Sequence, residues 1–174
     1  MKGSKDPWPL HGRLDQRDAR LSARPAIKPY GCAFMLTTEV GRYLADPAQD
    51  PASDLYIERW TPLQIIALYD TACEKGYVRA RDAFIEDWDK VIDLAAGRNA
   101  VDSLGWKDAD YPYSEDEIVI DCWERQDMNV GQHFTVQIPQ GGIQYDPLGS
   151  AEPGLSNSRK YGIIVSKRAF KIRY

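Results

Sequence analysis

Histidine is scarce in this chain: only His11 and His133 occur in 174 residues, beside three cysteines at positions 32, 73 and 122. Neither C-x-x-C nor H-x-x-x-H spacing is present, so the residues that hold zinc are too few and too scattered for a metal site. An odd cysteine count argues against a disulfide scaffold. No run approaches the roughly 18 apolar residues that span a bilayer, so no membrane span is expected. Lys2 and Lys5 stand near the start but no apolar stretch follows them, so a classical secretion signal is not expected. Synthesis in the cytoplasm is the default, with later export by a specialised route left open.

Basic charge is missing from the middle of the chain. Residues 82–127 hold fourteen Asp/Glu against four Lys/Arg, whereas residues 1–28 hold seven Lys/Arg against three Asp, within a net charge of −4. The acidic stretch repels phosphate backbones, which argues against nucleic acid as a partner. What remains is ordinary: 43% hydrophobic and 28% charged residues, and enough chain for one domain with a sizeable core.

Residues 1–26, rich in charge, Pro and Gly, read as an arm, and residues 27–174 as a single domain. Pro25 and Pro29 argue against helix there, and Pro29-Tyr30-Gly31 reads as a turn from which a helix starts at or near Cys32. Leu36, Val40, Tyr43 and Leu44 then recur at helical spacing, until Pro47 and Pro51. Thr61-Pro62-Leu63-Gln64 has the form of a capping box with Pro at the first helical position, and Gly76 closes that helix. A third helix is expected from Asp82 to about Ala96, with Gly97 as its cap. Residues 98–116 read as a loop. From residue 117 the pattern changes to strands: 117–124, 133–138, a Pro139-Gln140-Gly141-Gly142 turn, 143–146, a loop at 149–158, then 161–166 and 169–173 around a Lys167-Arg168 turn. Helices first and an antiparallel sheet afterwards make an α+β fold.

Cys32 is the residue that points to chemistry. A thiol in the first turn of a helix meets unsatisfied N–H groups and the positive end of the helix dipole, which favour thiolate. The alternative is a small buried core residue, the common state of free cysteine. Cys73, on an apolar helical stripe, and Cys122, in a strand, read as structural. His133 opens the polar face of a strand whose other face is apolar; its alternative is a strand-end histidine bonded to backbone. If Ile138 pairs with Ile143, Thr135 lies opposite Asp146, and Asp146 becomes a diagonal neighbour of His133 on one face. Asp146 before Pro147 is also a common turn starter. Trp60, Trp88, Trp106 and Trp123 read as core anchors, although Trp106, near Tyr111 and Tyr113, could line a cleft.

Tyr30-Gly31-Cys32-Ala33, His133-Phe134-Thr135-Val136 and Tyr145-Asp146-Pro147, in that order, resemble the papain-like cysteine peptidase superfamily in its bacterial forms, which include leader-processing peptidases and peptidoglycan amidases. The resemblance spans roughly residues 27–174. It implies a helical lobe bearing the nucleophile at a helix N-terminus, packed on a C-terminal antiparallel sheet. It further implies attack by Cys32 on an amide carbonyl, proton transfer by His133, orientation of that imidazole by Asp146, a peptide or peptidoglycan-peptide substrate, and no cofactor or metal. Many members place a glutamine shortly before the cysteine to donate to the oxyanion; here the nearest upstream is Gln16, leaving Tyr30, Lys28 or Gln132 as candidate donors beside the Cys32 N–H. Two alternatives stand beside the hydrolase: a non-catalytic binding or immunity-type module with Cys32 in the core, and a transglutaminase-like acyltransferase using the same three residues.

Overall fold

Local signals set the helices. In the computed structural model, which describes residues 16, 18–45, 61–124, 132–138, 143–145, 147 and 163–174, α1 spans Ile27–Tyr30 and α2 spans Cys32–Ala45. Gly31 sits between them: its N–H bonds to the Ile27 carbonyl at 2.8 Å and its carbonyl accepts from Met35. A Cβ at this glycine would lie 2.5 Å from the Ile27 carbonyl oxygen, so the junction needs glycine. Pro29 lies inside α1, contrary to the expectation from the prolines, because a first-turn proline gives up an N–H that has no helical partner there. Helix α3 (Pro62–Glu74) starts as its sequence indicates. Thr61 Oγ1 accepts from the Gln64 N–H at 3.2 Å, and the Thr61 N–H donates to Gln64 Oε1 at 2.8 Å.

The next helix, α4, is shorter than expected, Trp88–Ala96, and a two-stranded ladder of β1 (Val78–Arg79) and β2 (Phe84–Ile85) precedes it. Asp82 explains the difference. Its carboxylate takes two bonds from Arg79, both at 2.8 Å, and one from the Phe84 N–H at 3.3 Å, so it holds a turn instead of opening a helix. Gly97 closes α4 at φ 69°, as the sequence indicated.

The main sheet has the order β3-β7-β4-β5-β6, every neighbouring pair antiparallel. Its strands are β3 (Val101–Lys107), β4 (Glu117–Glu124), β5 (Gln132–Ile138), β6 (Ile143–Tyr145) and β7 (Ile163–Ile172). Two expectations are corrected here. The supposed loop contains β3, which tolerates Gly105 because a register shift falls between Ser103 and Gly105. The supposed Lys167-Arg168 turn is the middle of one continuous strand: β7 is paired on both sides, and its two cations point to opposite faces of the sheet. The Ile138–Ile143 register is found as expected. The arm up to residue 15, the 139–142 turn, the 149–158 loop and Asp146 lie outside the described residues.

Ile118, Ile120, Val136 and Phe170 give one sheet face to a core shared with Phe34, Leu36 and Val40 of α2, Ile65 of α3 and Val91 and Ile92 of α4. Helices α2 and α4 meet at Gly41, where a Cβ would lie 2.5 Å from both the Ala95 Cβ and the Ile92 carbonyl oxygen. Leu21 and Ala26, from the stretch read as an arm, join this core, and Arg24 pairs with Asp70 of α3. The architecture is α+β. Among the described residues no helix is long and apolar enough to cross a membrane.

Candidate active site

Cys32 is the first residue of α2 and is 9% exposed. The helical ladder restarts at Gly31, whose carbonyl accepts from the Met35 N–H, so the thiol stands in the first turn of α2. It lines a cavity of about 610 Å³ between the first turn of α2, the β1–β2 hairpin and the sheet. Trp88, Trp106 and Phe134, together with Tyr30 and Phe84, give this cavity its aromatic wall. Trp88 contacts Trp106 edge-on at 5.8 Å between centroids, and Phe134 at 5.4 Å.

Charge enters from two sides. Asp82 and Glu86 line the cavity, and both carboxylates are held by Arg79, at 2.8 and 3.6 Å. Arg168, from the middle of β7, places its guanidinium 5.2 Å from each of the Trp88 and Trp106 ring centroids. Burial pulls its pKa below the usual arginine value, with Asp89 and Asp87 acting against that shift. The Asp87 carboxyl, at the N-cap of α4, is pushed up first by burial and then by Asp89 beside it.

The sequence candidates separate into two groups. Tyr30 and Gln132, both exposed, line the cavity with Cys32. Lys28 does not: its side chain is exposed and its carbonyl accepts from Gln16 Nε2 at 2.9 Å. His133 stands opposite Trp123 on β4 and is only 2% exposed. Gln132 and Phe134, its two neighbours, both line the cavity, so strand alternation directs His133 to the other face of the sheet. There it shares a face with Thr135, whose Oγ1 accepts from Trp123 Nε1 at 2.8 Å. The cavity thus gathers Cys32, Tyr30 and Gln132, while His133 stands behind the strand that forms its wall. Asp146 lies outside the described residues.

Gln16 is what the local sequence concealed. In an unbroken helix the Lys28 carbonyl would accept from the N–H of Cys32; here it takes the Gln16 amide, which ties this glutamine to α1. Its backbone N–H reaches the Pro147 carbonyl at 3.0 Å, and the residue is 3% exposed with Oε1 enclosed and lacking a donor among the described residues. No short-range spacing encodes this; the chain folds Gln16 back onto α1. Asp121 carries no short-range signal either. It is 1% exposed on the face that carries His133, and burial pushes its carboxyl up to about 6, against the pull of Lys167. Burial likewise raises the thiols of Cys73 and Cys122. Among the described residues no three His, Cys, Asp or Glu side chains converge as a metal site.

No family model, curated protein or solved structure matches the chain.

Proposed function

We propose that this chain is a cysteine-dependent amide hydrolase of papain-like design, acting on a peptide or isopeptide bond, with bacterial cell-wall peptide the first substrate class to test. The observation that carries the proposal is Cys32 at the start of α2, opening onto the aromatic cavity. The Cys32 sulfur would attack the amide carbonyl, forming a C–S bond as the C–N bond breaks and a proton passes to the leaving amine. Water would then release the acid from the thioester. The developing oxyanion has the Cys32 backbone N–H and the amide of Gln132 as donors, each worth about 10²–10³ in rate where such a donor is lost. The role of base for both proton transfers falls to His133 only if its imidazole reaches the cavity from the far face of β5.

The burial of His133 away from the cavity favours a second reading, a binding module in which the cavity takes a peptide and Cys32 is a wall residue. One set of assays separates the two. Purified cell-wall peptides and generic peptides are incubated with the wild-type chain, Cys32→Ala and His133→Ala, and new amines are quantified. A hydrolase releases amine, loses all of it in Cys32→Ala and about 10²-fold or more in His133→Ala. A binding module releases none from any chain yet binds peptide saturably, and Cys32→Ala leaves that binding intact.

A further inference from the structure

We infer that Arg168 forms a carboxylate-recognition subsite, so that the peptide held beside Cys32 carries a free carboxylate. The inference rests on the reading of the cavity as the ligand site.

Among the described residues, Arg168 is fixed in place without using its hydrogen-bond donors. Its guanidinium lies 5.2 Å from the centroids of both Trp88 and Trp106 and 5.8 Å from that of Phe170, so three rings orient a planar cation at the cavity wall. The Nε atom is enclosed and meets no acceptor, and among the described residues no carboxylate lies within ion-pair distance of the group. A guanidinium held by aromatic faces, with its enclosed Nε meeting no described acceptor, is suited to an incoming anion, because a buried donor left unanswered is unfavourable.

The other charges of the cavity do not neutralise it. Asp82 is occupied on both oxygens by Arg79, and Glu86 is drawn to the same arginine. Asp87 and Asp89 act on Arg168 only through space. Together these four acids bias the site against a dianion such as a phosphate monoester. A monoanionic, planar carboxylate matches both the fork of one guanidinium and the local field. The remaining wall is aromatic, and the volume of about 610 Å³ suits a short peptide.

The test uses two probes that differ only in this charge: N-acetyl-alanyl-alanine and its C-terminal amide. Binding is read by tryptophan fluorescence, which Trp88 and Trp106 report, and by calorimetry. The acid should bind wild-type chain about tenfold or more tighter than the amide. Arg168→Gln should remove that preference, so that the two probes bind alike. Equal binding of the two probes by wild type, an acid preference surviving in Arg168→Gln, or no saturable binding of either would overturn the inference. If Arg168→Gln does not fold, the wild-type chain suffices: alkylation by anionic iodoacetate relative to neutral iodoacetamide should be several-fold more favourable at Cys32 than at Cys73, and an equal ratio refutes the subsite. None of these readouts needs turnover, so a chain that cleaves no amide while preferring the acid keeps the subsite and loses the hydrolase.

Discussion

Asp121 holds its carboxylate at the centre of β4, flanked by β5 and β7, 1% exposed and with Oδ2 lacking a partner among the described residues. Burial raises its pKa from 3.8 to about 6, even with Lys167 nearby. Well below pH 3.8 the carboxyl is protonated in the folded and unfolded chain alike and contributes nothing to pH dependence. Between pH 4 and 6 the folded state keeps a proton that the unfolded state has released, so stability falls as pH rises. Above pH 6 both states are ionised and the full penalty is present, about 3 kcal/mol for a shift of roughly two units. Asp121→Asn removes the charge while keeping the shape. Its stability relative to wild type should therefore increase by about 2–3 kcal/mol between pH 4 and pH 7, then stay level. For a chain of this size that is roughly 5–10 °C in melting temperature. Thermal and urea unfolding of both chains at each pH measure the difference directly, and titrations shared by the two cancel. A gap that stays constant from pH 4 to pH 7 would refute the reasoning, because it would mean that the carboxylate is solvated or paired when ionised.

Gly41→Ala pushes a methyl group into the α2–α4 crossing, against Ala95 and the Ile92 carbonyl, and should lower stability by about 1–3 kcal/mol in urea unfolding. Asp93 Oδ1 accepts from the Ala100 N–H at 2.7 Å and the Val101 N–H at 3.3 Å, tying the end of α4 to β3. Asp93→Ala leaves both donors buried and should cost about 2–4 kcal/mol, whereas Asp93→Asn, which keeps the acceptor, should cost distinctly less.

Elements governed by adjacent residues are legible in the amino-acid order alone. Thr61 and Gln64 bond to one another across one turn, Gly97 needs only its own freedom to adopt positive φ, and the Ile138–Ile143 register follows from the spacing of a hairpin. Elements decided by distant partners are not. Asp82 looks like a helix opener until Arg79 claims its carboxylate, and Lys167-Arg168 looks like a turn until β3 and β4 pair with it from both sides. The same division runs through the site. Cys32 at a helix start can be read from Pro29-Tyr30-Gly31. Gln16 against the Lys28 carbonyl cannot, because tertiary folding brings it there, and the side of the sheet that His133 faces depends on where the helices pack.

The central claim is that Cys32 is an activated thiol. Its most direct test is the rate of iodoacetamide alkylation at each cysteine, resolved by peptide mass spectrometry from pH 5 to pH 9. Cys32 should react far faster than Cys73 or Cys122, whose thiols are raised by burial, and should retain most of its rate at pH 6 to 7, where an ordinary thiol has lost it. A Cys32 that reacts no faster than Cys73 across the whole range would contradict the account.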